Sequence, residues 1–311
     1  MLKLILKALD AVPKMNFQGA RTIPLEQLKE KYQLDDSHFI NINGLDVHYR
    51  DSPCITNPEA PILLCLHGIF SSLHTWQKWT DELNERFHII SIDLPNFGLT
   101  GPFPQAKTNI NDDTYPDFLR DFLSALNIQK CHIAGNSLGG YFSYTFAAKY
   151  PEHIEKMILL NPTGFLFMPP AALIAWGAPL GAWVVEHSTP PRWLAHSLLR
   201  RAYARSERTT KEELLRYYEM LLRSGNRQGG TNILHYVRNR LGFNTQYLKT
   251  IQAPTLLMWG EEDHWVPVRH CKNFQQALPH CKVITYVDCG HLPMEEKPEL
   301  SARDAAEFLL D

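Results

Sequence analysis

The chain has 311 residues, 44% of them hydrophobic, enough for one large α/β domain with an insertion or for two smaller domains. Charged residues make up 21% and the formal net charge is −2, so the basic stripe that nucleic-acid binding needs is missing. The 33 acidic residues are scattered and form no acidic tail.

The first segment, MLKLILKALDAV, sets Lys3, Lys7 and Asp10 on one helical face and Leu2, Ile5, Leu6 and Leu9 on the other. It is too short to span a bilayer and lacks a small-residue cleavage site, which argues against a signal peptide. Two readings stay open: an amphipathic helix packed on its own domain, or an interfacial helix of residues 1–12 in peripheral contact with a membrane. Residues 1–38 are assigned to this N-terminal helical extension, with a further helical stretch at Ile23 to Tyr32. HFININ and GLDVHYRD flank Asn43-Gly44 and predict a β-hairpin.

Continuous apolar runs then alternate with helical segments. PILLCLHG and FHIISIDLP bracket a helix around Trp76 to Arg86, and a helix from about Thr114 to Leu126 leads into KCHIAGNS. A helix over Tyr141 to Lys149 precedes IEKMILLNP. APTLLMWG and CKVITYVDCGH follow, separated by a helix at Arg269 to Ala277, and a last helix runs from about Glu299 to Leu310. Strands buried on both faces and alternating with helices predict a mostly parallel sheet of about eight strands with helices on both sides. Between Asn161 and about Thr250 the alternation stops and the pattern is helical throughout, as expected of an inserted cap. The expected division is a core of residues 39–161 and 251–311 and a helical cap of residues 162–250.

None of the six cysteines sits in a C-x-x-C pair. Cys65 and Cys131 fall in apolar runs, so the cysteines read as small core residues in a reducing compartment, which points to a cytoplasmic location.

The segment Ala134 to Gly140, AGNSLGG, contains G-x-S-x-G between an apolar strand and a helix, the context in which this motif makes a nucleophile elbow. The turn lifts the Ser137 hydroxyl clear of the sheet, and side chains at Gly135 and Gly139 would collide with the adjacent strand and helix. A serine hydroxyl needs a base within hydrogen-bond reach. His291 follows the apolar strand on a loop at the sheet's C-terminal edge, where Ser137 also lies. The acid that orients its imidazole is expected to be Asp263, which leaves the preceding strand; Glu261, Glu262 and Asp288 are its rivals, and Asp288 is expected still to lie in the strand. The order Ser, Asp, His is that of the strand–elbow–helix hydrolases. The oxyanion donors are expected to be the N–H groups of Leu138 and Ile69, with His67 ordering the loop.

These segments resemble the α/β-hydrolases that carry a helical cap. The marks are HGIFSSLHTW at 67–76, DLPNFGLTG at 93–101, GNSLGG at 135–140, WGEEDHWVP at 259–267 and CGHLPMEEKPE at 289–299, and the likeness covers the chain after about Phe39. The resemblance implies a serine hydrolase. Ser137 departs from the members with Asp at the nucleophile, the epoxide hydrolases and haloalkane dehalogenases. Carboxylesterases, monoacylglycerol-type lipases and C–C bond hydrolases of ring-cleavage products keep a serine. IFSSLH departs from the Gly-Pro-Gly-rich stretch usual in the C–C hydrolases.

The cap sequence is very apolar, with Phe165, Leu166, Phe167, Met168, Leu173, Ile174, Trp176, Leu180, Trp183 and Val184. Packing on the core accounts for most of these, and a cap of this kind favours an acyl chain or an aromatic group. The reading is a carboxylesterase or lipase-like enzyme that uses no cofactor or metal and takes a small-molecule ester with a medium or lipophilic acyl group. The alternatives are a C–C bond hydrolase and a hydrolase-fold small-molecule receptor.

Overall fold

The computed structural model describes residues 20–104, 109–239 and 243–311. The segment expected to form an amphipathic helix at residues 1–12 lies outside them. The first described helix is α1 (Leu25–Tyr32), followed by the hairpin β1 (Ser37–Ile42) and β2 (Leu45–Ser52). Asn43 and Gly44 both have positive φ, 52° and 86°, as a two-residue hairpin turn matched to strand twist requires.

Six more strands complete the sheet: β3 (Ile62–Leu66), β4 (His88–Ile92), β5 (Cys131–Asn136), β6 (Ile154–Leu160), β7 (Thr255–Gly260) and β8 (Cys281–Tyr286). Their spatial order is β1-β2-β4-β3-β5-β6-β7-β8. The β1–β2 and β2–β4 pairs are antiparallel, and the remaining pairs are parallel. β5 and β7 are buried along their whole length, which is why they read as unbroken apolar runs, whereas the edge strand β8 is half covered. Each fully buried Leu or Ile of the central strands contributes about 1.5–3 kcal/mol.

The flanking helices are α2 (Gln77–Leu83), α3 (Thr114–Ala125), α4 (Leu138–Lys149), α10 (Arg269–Ala277), α11 (Pro293–Glu296) and α12 (Pro298–Leu310). Between β6 and β7 the described elements are all helical: α5 (Ala171–Gly177), α6 (Pro179–His187), α7 (Arg192–Ala202), α8 (Lys211–Leu221) and α9 (Asn226–Asn239), besides short 3-10 turns. Two boundaries differ from the sequence pattern. The run ALIAWGAPLGAWVVEHS is two helices, because Pro179 begins α6 and cannot continue α5. α9 starts before Thr231 and takes in Gly229 and Gly230, which local preference would exclude. A Cβ at Gly229 would stand 2.7 Å from Asn96 Cβ, and one at Gly230 2.5 Å from Phe70, so bare backbone is what lets α9 approach the core loops.

All six cysteines are free; five are buried and Cys281 is half-buried. Among the described residues no helix is long and apolar enough to cross a membrane.

Candidate active site

Ser137 stands between the end of β5 and the start of α4, with φ 56° and ψ −115°. A non-glycine residue there carries strain of about 1–3 kcal/mol that its surroundings must hold. They do so through its own backbone: the Ser137 N–H donates to Leu160 O (2.9 Å), and its carbonyl accepts from the N–H groups of Tyr141 (3.2 Å) and Thr163 (3.1 Å). The tight turn also explains the motif glycines. A Cβ on Gly135 would lie 2.5 Å from Gly139 O, and one on Gly139 would lie 2.3 Å from Leu66 O.

The adjacent parallel strands β7 and β8 deliver the other two expected residues. Asp263 follows β7, His291 follows β8, and His291 Nδ1 donates to Asp263 Oδ2 at 2.7 Å. The same carboxylate oxygen accepts from Asn161 Nδ2 (2.6 Å), while Oδ1 accepts from the N–H groups of Trp265 (2.6 Å) and Val266 (2.9 Å). Asp263 is thus a buried acceptor met by four N–H donors, which fixes its orientation and that of the imidazole. The Trp265 ring stacks on His291 with centroids 5.7 Å apart. The His291 backbone is also held, its N–H donating to Ala202 O (2.7 Å) and its carbonyl accepting from Asn136 Nδ2 (2.9 Å).

The rivals to Asp263 are elsewhere. Asp288 lies beyond β8, in a turn with φ 52°, rather than inside the strand as expected. Its carboxylate is taken up by Arg205, Arg208 and Lys297. Glu261 accepts from Thr285 Oγ1 (2.7 Å), and Glu262 is exposed.

Among the described residues, the N–H groups of Ile69 and Leu138 donate to no protein acceptor. The loop carrying Ile69 is ordered by His67, whose Nε2 accepts from Leu94 N–H (3.0 Å) and whose Nδ1 therefore bears the proton given to Gly68 O (2.7 Å). Burial pushes the His67 pKa down, consistent with a neutral ring. Phe70, at φ 58°, stacks on Trp176 of α5 with centroids 4.6 Å apart, so the loop is clamped from the helical side.

Ser137 opens onto two cavity lobes. The smaller, of about 80 Å³, is lined by His291, Ser71, Tyr217 and apolar residues including Trp176, Leu198 and Leu292. The larger, of about 260 Å³, is lined by Ile69, Leu138, Phe165, Leu173, Ile233 and Val237 among other apolar groups, with Arg238 as its cation. Several residues expected to make the insertion apolar face these lobes, whereas Met168, Leu180, Trp183 and Val184 are exposed. Among the described residues no cluster of His, Cys, Asp or Glu could hold a metal ion.

Sequence reasoning missed Asn161 and Asn136, whose amides tie the strand ends beneath the site together. Asn161 also has positive φ, 45°, a conformation asparagine tolerates better than most residues. Their contacts join residues 102 and 155 positions apart, beyond any local pattern, although the place of Asn136 directly before Ser137 was a signal. A second Ser–His–Asp chain was missed too. Ser37 Oγ lies 2.9 Å from His48 Nε2, and His48 Nδ1 lies 2.7 Å from Asp93 Oδ2. Asp93 also accepts from the N–H groups of Leu73 (2.7 Å) and Leu99 (2.7 Å). Burial alone would raise the Asp93 carboxyl, but His48 beside it prevails and holds it well below the usual carboxylate range.

A mostly parallel eight-stranded sheet, an elbow serine after β5 and a His–Asp pair after β8 and β7 define the α/β-hydrolase class. The chain belongs to the family described as the alpha/beta hydrolase fold, which it matches over residues 61–298. It is similar to the uncharacterized hydrolase YugF of Bacillus subtilis, 29% identical over 86% of this chain and 96% of that protein. It is also similar to a 2-hydroxy-6-oxononadienedioate/2-hydroxy-6-oxononatrienedioate hydrolase of Paraburkholderia phymatum, at 25% identity over 88% of this chain and 95% of that one. Among solved structures, a membrane phospholipase A described as a bacterial virulence factor superposes with a TM-score of 0.76 at 25% identity, covering 99% of this chain and 96% of the other.

Proposed function

We propose that this hydrolase cleaves carboxylic esters with medium or lipophilic acyl groups through an acyl-enzyme, with Ser137 as nucleophile, His291 as general base and Asp263 as the orienting acid. The observation that carries the reading is the His291–Asp263 hydrogen bond beside a cavity that Ser137 and His291 both line. Ser137 Oγ attacks the ester carbonyl while His291 Nε2 takes its proton. The N–H groups of Ile69 and Leu138 hold the oxyanion, and Asp263 stabilises the imidazolium. His291 then protonates the leaving alcohol and later activates the water that releases the acid. In this reading residues 162–250 act as a cap whose apolar side chains shape the acyl site.

The dienedioate hydrolase relative keeps C–C bond cleavage as the second reading. An apolar lobe of about 260 Å³ favours an acyl chain over a dicarboxylate. A p-nitrophenyl ester series from acetate to palmitate tests this. Turnover should peak at an intermediate chain length, with octanoate faster than acetate. If short, charged esters turn over faster than hexanoate or octanoate, the acyl preference is wrong; if only a ring-cleavage dienoate is consumed, the second reading replaces the first.

A further inference from the structure

Asp263 fixes the ring of His291, but a ring is only as well placed as the backbone that carries it. That backbone stands on a loop, and both neighbours of His291 are held by one residue further along. The N–H of Glu296, the last residue of α11, donates to Leu292 O (2.9 Å), and Glu296 Oε1 accepts the N–H of Gly290 (2.8 Å). His291 sits between these two anchors. The other carboxylate oxygen, Oε2, accepts the N–H of Ala204 (2.9 Å). Ala204 is two residues from Ala202, whose carbonyl accepts the His291 N–H (2.7 Å).

Two stretches far apart in sequence therefore meet on this carboxylate: the loop that carries His291 and the turn after α7, within the helical insertion. They meet closely, since a Cβ on Gly290 would stand 2.5 Å from both Ala202 O and Ala204 N. The Glu296 side chain is wholly buried, and Arg208 Nη1 lies 3.4 Å from Oε2 while donating to Asp288 O at 2.7 Å. A buried carboxylate is costly unless its oxygens are hydrogen-bonded, and here each oxygen has its own N–H. An amide of the same size has one acceptor oxygen and would set its NH₂ against the second N–H. An apolar residue would leave both N–H groups unpaired. Asp263 holds the ring and Asn136 the His291 carbonyl, but the Gly290 N–H is given to Glu296.

We infer that Glu296 is a positioning residue for the hydrolysis: it keeps His291 Nε2 in line with the Ser137 hydroxyl by locking the His291 loop to the turn after α7. This rests on the reading of Ser137 as nucleophile and His291 as base. It adds the group that sets the position of the base and ties that position to the helical insertion. Glu296 lines neither lobe, so its effect reaches the reaction only through Gly290, Leu292 and Ala204. A base displaced by about 1 Å loses the geometry that proton transfer needs, at about a hundredfold in rate.

The test measures kcat and KM on p-nitrophenyl octanoate for the full chain, for Glu296→Gln and for Glu296→Asp, with thermal denaturation and the proton NMR spectrum of each. Gln keeps the size and loses one acceptor. Asp keeps the charge and is one methylene too short to span both N–H groups, so it carries the test where the Gln variant does not fold. Glu219→Gln is the control for stability: it loosens the Lys31 and Tyr32 contacts of α8 and lies outside both lobes and the His291 loop. Both Glu296 variants should lower kcat by about tenfold to a hundredfold with KM within about twofold. The far-downfield Nδ1–H resonance that His291→Ala removes should shift or broaden, while that of the His48–Asp93 pair stays in place. A purely structural role would lower Tm, as in Glu219→Gln, without this split or this shift. A kcat within about twofold of the unsubstituted chain in both variants, or an unmoved His291 resonance, overturns the inference and leaves the ester-hydrolase reading standing. If the folded, unsubstituted chain cleaves no ester, the ester-hydrolase reading falls, and the resonance alone decides whether Glu296 places His291.

Discussion

The molecule holds two sets of Ser, His and Asp, and the contrast between them shows what a candidate triad requires beyond hydrogen bonds. In both, histidine Nδ1 stands 2.7 Å from an aspartate oxygen. In both, the aspartate also collects two backbone N–H donors. Ser37, His48 and Asp93 even have the serine at hydrogen-bond distance, 2.9 Å. Yet His48 and Asp93 side chains are wholly buried, Ser37 lies in the regular ladder of β1, and none of the three lines the lobes at Ser137. Ser137 instead has a strained backbone, a cavity on either side and two N–H groups nearby without protein acceptors. The Ser37 set pins β1 and β2 to the loops after β3 and β4. The Ser137 set has room for a reacting group.

Serine replacement should separate the two most sharply. Ser137→Ala should lower kcat on p-nitrophenyl octanoate by roughly four to six orders of magnitude at unchanged fold. Ser37→Ala should leave kcat within severalfold and cost about 1 kcal/mol in urea denaturation. A comparable loss of kcat in Ser37→Ala would break the distinction.

The aspartates extend the same contrast. Asp263→Asn should reduce kcat by about 10³–10⁴, because the imidazole loses its tautomer and its counter-charge, and should cost about 1–3 kcal/mol, because the amide can accept at only one of the two oxygens that now take N–H donors. Asp93→Ala strands His48 and the N–H groups of Leu73 and Leu99, and should cost roughly 3 kcal/mol or more. Denaturation midpoints set beside kcat for both variants check this.

Acid should expose the smallest difference. His67 and His74 lie near Asp93, and burial depresses both, His74 to about 4. A histidine depressed in the folded state binds its proton more readily once unfolded, so its contribution is complete above the ordinary value of 6.5 and is lost as pH falls towards about 4. Glu295 and Glu296, raised by burial, act in the opposite sense. Urea midpoints measured between pH 7 and pH 4 should fall, and His74→Asn should flatten that slope by part of its depth. An unchanged slope would remove His74 from this account.

The strands were legible because the central ones are covered on both faces, so ILLCL, CHIAGN and TLLMWG carry no polar alternation to confuse with helix. Ser137 was legible because the elbow is a local steric demand written in Gly135 and Gly139, and Asp263 and His291 because each follows an apolar strand. What escaped depends on contacts across the fold. Asn161 reads as the end of a strand until Asp263 arrives beside it, and Tyr217 reads as one aromatic of an amphipathic helix until Ser71, 146 residues away, lies against it. The start of α9 was misplaced for a related reason: its two glycines answer to Asn96 and Phe70, not to helix preference. Ser37, His48 and Asp93 show no motif at all, since a structural network needs only complementary partners and tolerates any spacing.

The pairing of β7 with β8 has a consequence for rebuilding this enzyme. Asp263 and His291 are 28 residues apart in the chain, but Gly260 and Tyr286, three and five residues before them, are partners in a parallel ladder. Strands in such a ladder sit about 4.8 Å apart whatever joins them. The ruler for the His–Asp distance is therefore the ladder and not the length of the connection through α10. A designer could lengthen or replace that crossover, in whole helical turns, and still hand the two side chains to each other, whereas deleting one residue between a strand end and its side chain would part them.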